Sequence, residues 1–431
     1  MASGRAVDSV EAVFREEWGR LLATLVRWLG DFDLAEEVAA DALATAIERW
    51  PVDGVPDRPA AWLLTTARRR AVDLLRRRQT YAAKLAVLRV EAERAAAEGN
   101  SAPPPQPDAI GDDRLRLFFT CCHPALGSEA QVALTVRYLG GLSTAEVARA
   151  FLVPETTMAQ RLVRAKRKIR EAHIPYRVPD AVELPNRLPA VLRVVYLIFT
   201  ESYAASRGPE LVRGDLADEA IRLARILFRL LPEEREVAGL LALMLLIDAR
   251  RAARTDSSGG LVLLADQDRG RWDQAEIEEG RTLVVQALSG GRPGQYALQA
   301  AIAALHDEAA TVETTDWPQI VALYNVLRTV APSPLVDLNR AVAVAMVDGP
   351  AAGLALLEDA AAAGELVNYH LLSSARGALL EQLGRHVEAA DAYRAALNAA
   401  GNQPERDFLR QRLDRAVRSG SAADGAQRPG R

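Results

Sequence analysis

Apolar residues recur along the chain at spacings of three and four almost throughout, Ala and Leu dominate them, and alternating β-branched stretches are scarce. That period puts successive apolar side chains on one helical face, so the chain is expected to be all-α. Two proline-rich stretches break the pattern. The first, Glu91 to Asp113, ends in Ser101-Ala-Pro-Pro-Pro-Gln-Pro-Asp108, an acidic segment that cannot continue a helix and is expected to be extended. The second, His173 to Pro189, holds Pro175, Pro179, Pro185 and Pro189 and marks the join to a long helical remainder. The resulting partition is 1–95, a linker 96–112, 113–178, a helical extension 190–417, and a polar tail 418–431 expected to be disordered. The longest apolar run, Val237 to Ile247, has eleven residues. A bilayer span needs about 20, so the run reads as a buried helix.

One repeat is legible in the extension. Gly377, Leu383-Gly384-Arg385-His386, Ala389, Tyr393 and Ala396 fall at the spacing of a tetratricopeptide helix pair, in which small residues let two helices pack closely. Some 35 residues upstream, Asp348-Gly349-Pro350 and the Ala and Leu run to Leu357 resemble a degenerate second unit. An ordinary helical bundle is the alternative.

Charge changes the picture of the first half. The net −4 over 431 residues divides into +3 for residues 1–178 and −7 for the remainder. Arg68 to Arg78 holds six arginines against Asp73 alone, and Arg161, Arg164, Lys166, Arg167, Lys168 and Arg170 form a second cluster. Local basic density of this kind, rather than the total, is what nucleic-acid binding requires.

The second cluster sits in a helix-turn-helix pattern. Ser143-x-x-Glu146 is a capping box opening a short helix, Thr144 to Phe151; Leu152-Val153-Pro154 breaks it, and a second helix starts at Pro154. Met158, Leu162, Ala165 and Ile169 form its buried stripe, leaving Thr156, Thr157, Gln160, Arg161, Arg164 and Lys168 open. Hydroxyl, amide and guanidinium groups there can reach base edges in a major groove while later cations neutralise phosphates. The first cluster follows Pro59 on a helix that turns Leu63, Leu64, Ala67, Ala71, Leu74 and Leu75 inward. Arg69, Asp73 and Arg76 lie on the opposite face, with Arg68, Arg77 and Arg78 beside them, a strip suited to phosphates or exposed bases. Before both lies an acidic helix with Asp33-x-x-Glu36 read as its capping box. Glu37, Asp41 and Glu48 line one flank and Leu34, Val38, Leu43 and Ile47 the other, a pattern that fits docking on a protein surface as well as an ordinary core helix.

In that order, Asp33 to Trp50, Pro59 to Arg78 and Leu115 to Ile169 resemble region 2 and region 4 of bacterial extracytoplasmic-function sigma factors. Leu34-Ala-Glu-Glu37 with Asp41, Leu43 and Ile47 looks like the core-polymerase-binding segment. Ala61-Trp-Leu-Leu-Thr-Thr-Ala-Arg68 with Ala71, Asp73 and Arg76 looks like the strand-opening segment, and Gly141 to Arg170 like the minus-35-reading helix-turn-helix. Leu117-Phe-Phe-Thr-Cys-Cys-His-Pro-Ala125 and Asp266-Gln-Asp-Arg-Gly-Arg-Trp272 are similar to the subgroup with a long C-terminal tetratricopeptide-like extension. The resemblance implies a cytoplasmic sigma factor that binds core RNA polymerase, at the beta-prime clamp and the beta flap, and promoter DNA. It assigns Asp33, Glu36, Glu37, Asp41, Leu43 and Ile47 to polymerase. Arg68, Arg69, Arg70, Asp73, Arg76 and Arg77, together with Thr156, Thr157, Gln160, Arg161, Arg164 and Lys168, go to DNA. The extension it implies is a built-in regulator, responding to a ligand or a protein.

Other chemistry lacks its residues. Cys121, Cys122 and His123 have no second Cys or His group to complete a zinc site and read as buried thiols. Asp266, Asp268 and Asp273 are offset by Arg269 and Arg271 and read as a loop between helices. No phosphate-cradling, zinc-protease, nucleophile-elbow or dinucleotide motif is present, so neither enzyme activity, cofactor nor metal is expected. A free-standing helix-turn-helix regulator would not need the acidic Asp33 to Glu48 helix, and a tetratricopeptide scaffold would leave both arginine clusters unused.

Overall fold

The computed structural model describes residues 17–90, 113–151, 153–203, 214–362, 366 and 369–426. Among them there is no strand, only isolated bridge residues such as the Thr255 and Leu261 pair, so the all-α expectation holds. No helix among the described residues is long and apolar enough to cross a membrane. The chain divides into two compact units, 1–194 and 195–431.

The first unit opens with α1 (residues 17–29), which buries Trp18, Leu22, Leu25 and Val26. Gly30, at φ +68, turns the chain, and Asp31 caps α2 (Phe32–Asp53) by accepting from the Leu34 amide at 3.0 Å. The expected Asp33 and Glu36 capping box is therefore not the cap: Asp33 already lies within the first turn, and both carboxylates face other partners. The α2 core face is an alanine seam, Ala35, Ala39, Ala42 and Ala46, closed by Trp50, whose ring meets Trp62 of α3 (Pro59–Val90) edge-on at 5.5 Å. A seam this small brings α2 and α3 close and leaves Ile47 56% exposed instead of inward; Leu43 is half-buried. On α3, Leu63, Ala67 and Ala71 are buried as expected, but Leu75 is exposed.

Then follow α4 (Asp113–Cys121), α5 (Ser128–Tyr138), α6 (Thr144–Ala150) and α7 (Glu155–Glu171). Both hydrogen bonds of the Ser143 and Glu146 capping box are present, at 3.2 and 2.7 Å. Met158, Leu162, Ala165 and Ile169 are all buried. Cys121 and Cys122 are buried free thiols; burial pushes Cys122 up to about 12 and Cys121 well above its ordinary value. The proline-rich join is shorter than the sequence suggests, because α8 (Leu184–Tyr203) absorbs Pro185 and Pro189 into its first turns. The extended linker expected over Glu91 to Asp113 lies outside the described residues as far as 112.

The second unit runs through α9 (Gly214–Leu230), α10 (Arg235–Asp248), α11 (Gln274–Leu288), α12 (Gln295–Glu308), α13 (Trp317–Val330), α14 (Pro334–Asp348), α15 (Pro350–Ala362), α16 (His370–Gln382), α17 (His386–Ala399) and α18 (Gln403–Ala426). The eleven-residue apolar run is α10, buried from Val237 to Leu246. Gly384, at φ +73, turns α16 into α17; a Cβ on Gly377 would lie 2.8 Å from the Tyr393 ring, so the expected small-residue contact is there. Gly349, at φ +92, turns α14 into α15 in the same way. Past Arg418, α18 continues through Ala426, and 427–431 lie outside the described residues.

Candidate nucleic-acid and partner interfaces

The outer face of α7 is built by its inner one. Because the apolar stripe fixes the helix against α5 and α6, Thr156, Gln160, Arg164 and Lys168, four residues apart, form an exposed row. Thr157 and Arg161 lie beside it, half-buried, and Arg161 pairs with Glu129 of α5 at 3.0 Å. The candidate base-reading residues thus share one helix surface, as a groove reader requires.

On α3, Arg69, Arg70, Asp73, Arg76 and Arg77 are exposed and Arg68 is half-buried. Arg69, Asp73 and Arg76 therefore lie on the surface opposite the Leu63, Ala67 and Ala71 seam, with Arg68, Arg70 and Arg77 on its flanks.

The α2 candidates divide into two groups. Glu37, Asp41 and Ile47 stand exposed and Leu43 is partly so. Asp33 and Glu36 instead meet cations from over a hundred residues away. Lys166 Nζ pairs with Asp33 and, at 3.3 Å, with Glu36 Oε2; Arg170 reaches Asp33 at 3.5 Å. Arg137 of α5 pairs with Glu36 Oε1 at 2.5 Å, and the Tyr138 hydroxyl donates to Glu36 Oε2 at 3.1 Å. Burial, then the adjacent Glu36 carboxylate, holds the Tyr138 phenol well above its ordinary value and so keeps it a donor. Arg137 also lies 5.3 Å over the Trp18 ring, while the Trp18 indole donates to the Arg137 carbonyl at 3.2 Å. Sequence reasoning missed Arg137, Lys166, Arg170 and Trp18 as partners of this end of the first unit; no local signal marks pairs this distant.

In the second unit the Asp266 to Trp272 segment is a fastening loop. Arg269 donates to the carbonyls of His306 and Ala309 at 2.6 and 2.8 Å and lies 4.4 Å over Trp272; Asp268 and Asp273 accept from backbone amides at 2.9 Å. Among the described residues no His, Cys, Asp or Glu group could hold a metal ion. Arg250 and Asp307, both buried, pair at 2.7 Å nearby. Glu276 is raised to about 7, first by burial and then by Asp248 and Asp273. A raised acid favours the folded state only while protonated, so its contribution is full below about 4.5 and is lost as pH rises through 7. Glu276→Gln should therefore stabilise the extension by about 1–2 kcal/mol at pH 8 and leave it unchanged at pH 4.5. Urea melts at both values check this; a pH-independent difference contradicts it.

Comparison with known proteins agrees with this arrangement. Family models for sigma-70 region 2 and sigma-70 region 4 match residues 13–81 and 119–169, and a family of unknown function, DUF6596, matches 187–288. An uncharacterized protein of Rhizobium meliloti (strain 1021) is 44% identical over 394 residues, covering 91% of this chain and 92% of its own length. No solved structure matches. Region 2 and region 4 are the parts with which sigma factors bind core RNA polymerase and promoter DNA, and the rest of the alignment runs through the helical extension. The chain belongs to the extracytoplasmic-function sigma factors, in the form that carries a C-terminal helical extension.

Proposed function

We propose that this sigma factor reads the minus-35 element through Thr156, Thr157, Gln160, Arg161, Arg164 and Lys168, and that region 4 docks on the beta flap of the polymerase. The observation that carries this is the exposed row of hydroxyl, amide and cationic side chains along α7, on a helix whose opposite stripe is fully buried. Arg68, Arg69, Arg70, Asp73, Arg76 and Arg77 follow the opened strand near minus-10. Glu37, Asp41, Leu43 and Ile47, with Asp33 and Glu36, engage the beta-prime clamp. The exposure of Ile47 supports that role, since an isoleucine left in solvent on the helix that also exposes Glu37 and Asp41 suits a partner surface. The extension acts as a built-in regulator, and its tetratricopeptide-like pair α16–α17 is the part suited to a protein or ligand.

In vitro transcription with core polymerase on a genomic promoter library tests the reading: discrete start sites dependent on the chain are expected, and none would overturn it. Arg161→Ala with Arg164→Ala should weaken promoter binding and lower the slope of log K against log salt by about 0.9 for each phosphate no longer neutralised. An unchanged slope and promoter preference in a filter-binding series would remove α7 from the DNA interface.

A further inference from the structure

A half-open cavity of about 240 Å³ lies in the second unit, walled by the chain at Leu263, by α14, α16 and α18, and by Tyr393 of α17. It takes no part in the interfaces above. We infer that it is a binding site for a small uncharged molecule with an apolar body and a carbonyl at one end. The site's regulatory role rests on the reading of the extension as a regulator; its existence does not.

The walls select the body of the ligand. Leu338 and Val342 are one turn apart on α14, and Leu371, Ala375 and Ala378 follow one another at successive turns of α16, so each helix presents one strip to the cavity. Leu338 and Tyr393 belong to the buried core of the repeat pair and form a firm floor. Above them Leu263, Val342 and Leu371 are 38%, 38% and 42% exposed. Large aliphatic side chains left in water round a concavity are stabilised when an apolar group covers them. Ala375 and Ala378 leave open the space that longer side chains would fill. Size limits the occupant as well. One turn of an α-helix, about 10 Å across and 5.4 Å long, takes up about 400 Å³, so a small molecule fits where a helical peptide does not.

The polar end decides the charge. Arg412 donates from Nε and Nη2 to the Tyr393 hydroxyl at 3.2 and 3.0 Å, pairs through Nη2 with Glu381 at 2.9 Å, and lies 5.9 Å from the Phe408 ring. The Tyr393 hydroxyl in turn donates to Glu381 at 2.9 Å. Glu381 therefore already balances the cation at the cavity, and among the described residues lining it none is acidic. A carboxylate ligand would gain hydrogen bonds but no unpaired cation, and would set a second anion beside Glu381. A neutral carbonyl meets no such opposition. Arg412 Nη1 takes part in none of these bonds and is the donor for it, and Ser374 adds a hydroxyl to the lining. A guanidinium held by its partners before the ligand arrives loses little further freedom on binding.

Octanamide and octanoate, alike in length and different in charge, are the probes. In calorimetric titrations of the full chain at neutral pH, octanamide should bind with a Kd on the order of 0.1–1 mM, as suits about ten non-hydrogen atoms, and octanoate about tenfold more weakly. Val342→Ser with Leu371→Ser, both at exposed positions, removes apolar wall and should weaken octanamide about tenfold. Ala378→Leu, which fills the cavity, should abolish binding. Val285→Ser, at an exposed valine of α11 away from the lining, should change nothing. Circular dichroism checks each fold; should Ala378→Leu lose its helices, the serine pair decides alone. Absence of octanamide binding, unchanged binding by the serine pair, or octanoate binding as tightly as octanamide would overturn the site. Saturating octanamide should also change promoter-dependent transcription in vitro by about fivefold, the low end of ordinary coupling between two sites, with the unmodified chain and not with the serine pair. Binding without any effect on transcription keeps the site and overturns the regulator reading. Failure to bind while Gly239→Leu, in the core of the extension, still alters transcription does the reverse.

Discussion

Glu37→Arg together with Asp41→Arg should cost the chain at least about a hundredfold in affinity for core polymerase while leaving its helices intact, because like charges set against each other across an interface cost several kcal/mol. The two positions are one helical turn apart on the exposed side of α2, away from the Ala35, Ala39, Ala42 and Ala46 seam that packs on α3. Neither side chain is part of the buried core, so the folding cost should be within about 0.5 kcal/mol. The double variant also keeps Asp33 and Glu36, and with them the ion pairs to Lys166, so failure to bind cannot be ascribed to collapse of the first unit. Titration of labelled chain with core polymerase measures the loss. Unchanged affinity would move the polymerase interface off α2.

How far the sequence leads depends on how local the determining contact is. The α7 stripe, the Ser143 and Glu146 capping box and the Gly377 contact with Tyr393 are legible, since each is set by spacings within one helix or one hairpin. Spacing alone places the cap of α2 two residues late because both Asp31 and Asp33 precede an apolar run; Gly30 at positive φ fixes the chain direction that makes Asp31 the cap. Ile47 and Leu75 read as inward on size alone. An alanine seam can pack two helices so closely that the larger residues at its margin stay outside, and for Ile47 that exposure is what supports a partner surface. The pairs Arg137 with Glu36 and Arg170 with Asp33 are separated by 101 and 137 residues, and no periodicity encodes contacts of that range. Nor does Arg269 of the Asp266 to Trp272 segment announce that its work is to hold backbone carbonyls of α12 and the chain just after it.

Gly239→Leu should destabilise the extension by a few kcal/mol, about 1–3 kcal/mol or more, and promoter-dependent transcription in cells should fall with it. A Cβ at Gly239 would lie 2.6 Å from the Ala297 amide nitrogen and 2.9 Å from its Cα, so a side chain there meets backbone that cannot swing aside. At the same crossing Glu236 caps α12 by accepting from the Tyr296 and Ala297 amides at 3.0 and 3.1 Å, and displacing α12 breaks both bonds. Leucine recovers about 1 kcal/mol of helix propensity, against which overpacking costs about 1–3 kcal/mol or more and the broken cap about another 1 kcal/mol. The direction of the functional effect separates two roles for an extension that carries −7 against +3 for residues 1–178. An acidic body that masks basic DNA-binding faces would, once unfolded, release activity. In the first unit, however, Asp33 and Glu36 already pair with Arg137, Lys166 and Arg170, so part of its basic surface is offset without the extension. The folded extension is therefore expected to assist transcription rather than to inhibit it. Reporter activity in cells, with binding of the purified variant to a promoter duplex as the control for α7, checks the outcome. Activity equal to or above that of the unmodified chain would make the extension an inhibitor instead.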